Sequence, residues 1–156
     1  MANDYRILLA IDLKTGTDRL QEEAQRYGQA LNAIVDIIHV AAPDPYFVGY
    51  IKGTPEEQDS VDSRREPQAK ELRLEHQQTQ ALATKLRATG VRVGQALTVQ
   101  GPTLATVLEE ARKLSADLLI IGSHHHGALY RLWHGDTATD AAKQAPCALL
   151  VVPLPS

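Results

Sequence analysis

Four of the six histidines, His124, His125, His126 and His134, fall within eleven residues. Imidazoles at close spacing are ordinary zinc ligands. In an extended segment His124 and His126 point to the same side, where His134 or Asp136 would complete a ligand set. Three adjacent histidines cannot all reach one ion, however, and no His-x-x-x-His spacing supports them, so adventitious metal capture is a milder reading than a resident metal. A third reading is a pH-sensitive loop, because neighbouring imidazoles repel one another once charged. Other reactive side chains are few. Cys147 is the single cysteine, which excludes an internal disulfide and a Cys-rich zinc module. It sits in an apolar run and reads as a small buried hydrophobe.

Several familiar chemistries are absent. The turn Asp12-Leu13-Lys14-Thr15-Gly16 lacks the glycine pattern of a dinucleotide site, and no P-loop or nucleophile-elbow serine occurs. A phospho-receiver needs an aspartate where the third strand ends, but the chain has Gln100-Gly101 there. The 156 residues, 44% apolar and 22% charged, predict one ordinary globular domain over 1–156 rather than a disordered chain. A net charge of −3 argues against non-specific nucleic-acid binding. No apolar run reaches the ~18 residues of a membrane span, and Met1-Ala2-Asn3-Asp4 has no signal-peptide character. A cytoplasmic protein with no membrane contact is expected.

Short apolar runs alternate with amphipathic stretches. Strands are predicted at Tyr5–Ile11, Ala33–Val40, Val91–Val99, Asp117–Ile121 and Cys147–Val152. Ala33–Val40 is apolar except for Asp36 and His39. A first helix with Thr17 or Asp18 as cap carries Leu20, Ala24, Tyr27 and Leu31 at helical spacing. A second is expected to begin at Pro67, with Leu72, His76, Thr79, Leu82 and Leu86 on one face and His76 half-buried. Gly101-Pro102 opens a third, and residues from Thr137 to Gln144 form a short fourth. Residues 41–66, with prolines at 43, 45 and 55, read as an irregular loop.

Five strands alternating with four helices predict an α/β fold: an open, five-stranded parallel sheet sandwiched by helices. Ligands of such folds sit beyond the carboxyl ends of the strands, where the strand order reverses. In the common order 3-2-1-4-5 that reversal falls between the first and fourth strands, so Asp12 and the 122–136 segment should line a crevice.

The run Ala116-Asp117-Leu118-Leu119-Ile120-Ile121-Gly122-Ser123-His124, then His126-Gly127-Ala128-Leu129, Gly135 and Ala145 to Pro153, resembles the universal stress protein family. Ile7 to Asp12, Ile38-His39-Val40 and Gly101-Pro102-Thr103 agree with it. The resemblance spans Tyr5 to Pro153 and is weakest over 41–66. It implies an adenine-nucleotide alpha-hydrolase-like fold and a cytoplasmic, regulatory stress-response role without catalysis in most members. It also implies a homodimer paired through the last strand, Cys147 to Val152, with a protein partner the sequence does not name. An all-apolar strand left as a bare edge invites aggregation, which is a physical reason for that pairing.

One branch of the family binds ATP through G-x-x-G-(nine residues)-G-[Ser/Thr]. Gly122 and Gly135 match this pattern, whereas His125 replaces the second glycine and Asp136 the hydroxyl residue. His125 brings a Cβ to a position that favours close ligand approach. Asp136 sets a carboxylate at a helix N-terminus, where it caps the helix and competes with phosphate. Repulsion between unit charges at ~4 Å is ~4 kcal/mol at an effective dielectric near 20, and half of that is more than tenfold in affinity. Lys14, Arg131 and the histidines offset part of this charge, and Thr137 offers a hydroxyl one position late. By resemblance, Asp12 with Leu13 beside it and Val40 would meet the nucleoside. Gly122, Ser123, His125, Gly135, Asp136 and Thr137 would face the phosphates of ATP and its magnesium. The expected function is thus a non-catalytic stress-response homodimer with a degenerate adenine-nucleotide crevice. The alternative is genuine ATP or AMP binding, and a metal-binding variant ranks below both. A His125→Gly, Asp136→Ser double variant should gain ATP affinity in calorimetric titration; no gain would contradict this account of the two departures.

Overall fold

The computed structural model describes residues 3–13, 16–41, 55–123 and 142–154, with backbone alone for 55–68, 103 and 123. Five strands form one sheet: β1 (Arg6–Ile11), β2 (Ile34–Ala41), β3 (Arg92–Gln100), β4 (Leu118–Ser123) and β5 (Ala148–Pro153). Every pairing is parallel and the order is β3-β2-β1-β4-β5, as expected. The long helices are α1 (Thr17–Ala30), α2 (Pro55–Ala88) and α3 (Thr103–Lys113). Residues 142–144 are helical too, at the end of the predicted fourth helix.

A parallel sheet buried on both faces needs apolar residues at successive positions, not alternate ones. In β1, Ile7, Leu9 and Ile11 face a core shared with Leu20 and Ala24 of α1 and with Leu82 and Leu86 of α2. Leu8 and Ala10 face the opposite core with Val107, Leu108 and Ala111 of α3. Each fully buried Leu or Ile contributes roughly 1.5–3 kcal/mol of transfer free energy, so the central strand anchors both layers.

Three expectations are corrected. α2 begins at Pro55, so residues 55–66 are helical rather than part of a loop. Glu56 to Glu66 has no apolar periodicity to betray it, although Pro55 followed by two glutamates suits a helix start. Pro67 lies inside the helix, where it lacks the N–H of an ordinary helical residue. The N-cap of α1 is Gly16, with φ 100° and no side-chain cap, instead of Thr17 or Asp18. The buried stripe of α2 includes Thr79, Leu82, Ala83 and Leu86, while His76 is exposed and Glu75 takes the half-buried place.

Asp36 is wholly buried in β2 yet carries a carboxylate. Arg6 donates to it from Nη2 at 2.9 and 3.0 Å and from Nε at 3.1 Å, and the Gln95 amide adds a bond of 2.8 Å. The β2–β3 register shifts at this point, so that Gly94 and Gln95 oppose Asp36 alone. A Cβ on Gly94 would overlap Asp36 Oδ1, which fixes glycine there. Breaking a buried pair strands its partner. Asp36→Ala should therefore cost about 3–5 kcal/mol in urea unfolding. That loss should exceed the one from Asp4→Ala, whose partner Arg92 is at the surface.

Candidate functional site: the fork between β1 and β4

The strand order reverses between β1 and β4. Their ladder holds the pairs Ile7–Leu118, Leu8–Leu119 and Leu9–Ile120 and then stops. The ladders on either side run further, β1 with β2 to Ile11–His39 and β4 with β5 to Ser123–Pro153. The central strands thus part at their carboxyl ends. From β1 the chain turns to α1 on one face, whereas Ala145 and Cys147, leading into β5, pack on the α3 face. Ligands of such sheets are expected at this fork, with Asp12 just past β1 and Gly122 near the end of β4.

Asp12 is half-buried and follows the last residue of β1. Leu13 has φ 61°, a left-handed conformation that costs a non-glycine residue about 1 kcal/mol or more. Packing of its side chain on the α1–α2 core supports that turn. Val40 is half-buried on the α3 face and pairs with Val99. Asp12, Val40 and Gly122 therefore share the carboxyl edge of adjacent strands β2, β1 and β4. The Ser123 backbone extends that edge. His125, Gly135, Asp136 and Thr137 lie outside the described residues, as do Lys14, His124, His126, Arg131 and His134.

Gly122 has a packing reason of its own. A Cβ there would overlap Cδ1 of Leu154, a buried residue just past β5. The same leucine lies 3.1 Å from where a Cβ on Gly16 would stand. One side chain thus joins the β4 end of the fork to the turn that starts α1.

His39 reaches the same edge and is marked by no binding motif. It is 5% exposed, and its Nδ1 stands 3.1 Å from the carbonyl oxygen of Ile11, immediately before Asp12. The available signal was a polar residue in an otherwise apolar strand. Cys147 is half-buried on the α3 face; burial, with the Asp117 charge adding to it, pushes its thiol up and keeps it neutral. No group of three His, Cys, Asp or Glu side chains is placed to hold a metal ion among the described residues. No described helix is long and apolar enough to cross a membrane.

A parallel sheet of order β3-β2-β1-β4-β5 with helices on both faces defines an open α/β class. Within that class the chain belongs to the universal stress protein family, whose model matches residues 5–153. It is 30% identical over 146 residues to the "Universal stress protein in QAH/OAS sulfhydrylase 3'region" of Thermus aquaticus, covering 94% of this chain and 96% of that one. The fold is also that of the universal stress protein UspA from Lactobacillus plantarum, with TM-score 0.63, 19% identity and coverage of 97% and 99%. A family protein of Arabidopsis thaliana with AMP bound has TM-score 0.58 and 13% identity, over 97% of this chain and 93% of that one. One from Archaeoglobus fulgidus in complex with dAMP has TM-score 0.56 and 16% identity, over 97% and 98%.

The Leu154 contact yields a test. Gly122→Ala should destabilise by about 1–3 kcal/mol. Leu154→Ala should cost less in that background than in the natural chain, and additive losses in a denaturation cycle would refute the contact.

Proposed function

We propose that the fork receives an adenine nucleotide with few phosphates, AMP rather than ATP, in a regulatory protein that performs no chemistry on it. The observation that carries this reading is the early end of the β1–β4 ladder. It leaves the carboxyl ends of two buried strands apart, with Asp12 and Val40 on the nucleoside side. The solved relatives with AMP and dAMP support the ligand class. An aspartate after β1 suits ribose hydroxyls or the adenine amino group, since a carboxylate accepts hydrogen bonds and both of these donate. Gly122, Ser123, Gly135 and Thr137 remain for a phosphate, but His125 and Asp136 work against a triphosphate with magnesium.

Binding alone is the proposed activity, in line with what the family resemblance implies for most members. The open edge of β5 suits a two-fold partner, and a homodimer through residues 147–152 completes the proposal. A cytoplasmic location is part of the same reading.

Calorimetry on nucleotide-stripped protein, with AMP, ADP and ATP and with and without magnesium, tests it. AMP should bind most tightly, with ATP at least about tenfold weaker. ATP binding tighter than AMP would contradict the degenerate phosphate site, and no binding of any of the three would remove the nucleotide altogether.

A further inference from the structure

Three polar side chains are buried among the described residues: Asp36, His39 and Thr79. Asp36 is held by Arg6 and Gln95, and the Thr79 hydroxyl donates to the Glu75 carbonyl at 2.9 Å. His39 is different. The Ile11 carbonyl 3.1 Å from Nδ1 only accepts, so Nδ1 carries a proton and donates it. In the neutral ring Nε2 is then a bare acceptor, and this buried atom has no hydrogen-bond partner. What faces it is Oε2 of Glu75 on α2, another acceptor, at 3.4 Å. Two such atoms repel; a proton on Nε2 turns the contact into a charge-assisted one.

The remaining surroundings of the ring bring no second described charge into contact. On β1 its partner is backbone, and the nearest charge along that strand is Asp12, one residue past the bonded carbonyl. On β3 the register partner is Thr98, whose hydroxyl lies 3.4 Å from that of Thr79. On α2 the flanking Glu71, Arg73 and His76 are exposed.

The Ile11 carbonyl and the Asp12 amide share one rigid peptide plane, so whatever fixes the first aims the second. His39 also directly precedes Val40. We propose that His39 is the positioning residue of the fork: it aims the Asp12 peptide through Nδ1, and a proton on Nε2 draws Glu75 and α2 onto the same strand end. Adenine-nucleotide affinity therefore rises as pH falls, an inference that rests on the nucleotide reading above.

The test uses the full chain, with AMP as probe. Affinity is measured near pH 5.5 and near pH 7.5 for the natural protein, His39→Asn and Glu75→Gln. Asparagine keeps an amide nitrogen near the Nδ1 position but cannot ionise, and glutamine removes the charge that meets Nε2. Protonation of AMP itself is common to all three proteins. The acid-to-neutral affinity ratio should be about fivefold larger in the natural protein than in either variant. Equal ratios in all three would overturn the proposal. A long-range nitrogen NMR spectrum supplies a readout that needs no ligand and no variant. The neutral ring should be the Nδ1–H tautomer, and the Asp12 and Leu13 amides should move along the His39 titration curve. An Nε2–H tautomer, or amides that ignore that titration, would overturn the proposal even in a chain that binds AMP. If AMP does not bind, the nucleotide reading fails, and these NMR signals alone decide whether His39 positions the Asp12 turn.

Discussion

The rest of the structure depends on one constraint: β1 is buried on both faces and flanked by strands on both sides. Its backbone is committed to β2 and β4, and its side chains to two separate cores. Such a strand has room for polar chemistry only at its ends. At the amino end that room is used for stability, by Arg6 against Asp36. At the carboxyl end the ladder to β4 closes early, and the polar residues that follow are left at the lips of a fork. The forked edge is therefore a consequence of how β1 is covered, with α1 and α2 on one side and α3 on the other.

Glycines and one leucine adapt this frame at specific points. Gly94 makes space for the Asp36 carboxylate where β3 bulges, and Gly122 makes space for Leu154. The second case changes how the glycine motif is understood. Close approach of a phosphate is one reason for a glycine at the end of β4, and the packing of Leu154 Cδ1 against it is a second, independent one. A matching glycine is accordingly weaker support for a phosphate site than its motif suggests, and His125 and Asp136 carry more of the argument about triphosphates.

Much of the fold was legible because the inner parallel strands are continuous apolar runs and β3, at the edge, has apolar residues mostly at alternate positions. The predicted boundaries of β1, β2, β3 and β5 fall within one residue of the observed ones, and the strand order followed from the general topology of such sheets. The start of α2 was not legible, since residues 56–66 hold a single apolar residue, Val61, and give periodicity nothing to detect. The exchange of His76 for Glu75 on the inner face of α2 has a similar origin, because an imidazole at apolar spacing resembles a core residue more than a glutamate does. Asp12, Val40 and Gly122 could be assigned to one edge from sequence. His39 could not, because its proposed role comes from a contact with the Ile11 carbonyl that only the pairing of β1 with β2 creates.

The proposed ligand site is confined to the carboxyl ends of β1, β2 and β4. Mapping amide chemical shifts during a titration with AMP tests this most directly. Asp12, Leu13, Val40 and Gly122 should move most, while Arg6, Ile34 and Arg92 at the opposite edge stay still. Shifts centred on that amino-terminal edge, or on Gln21, Gln78 and Lys85 where α1 faces α2, would contradict it.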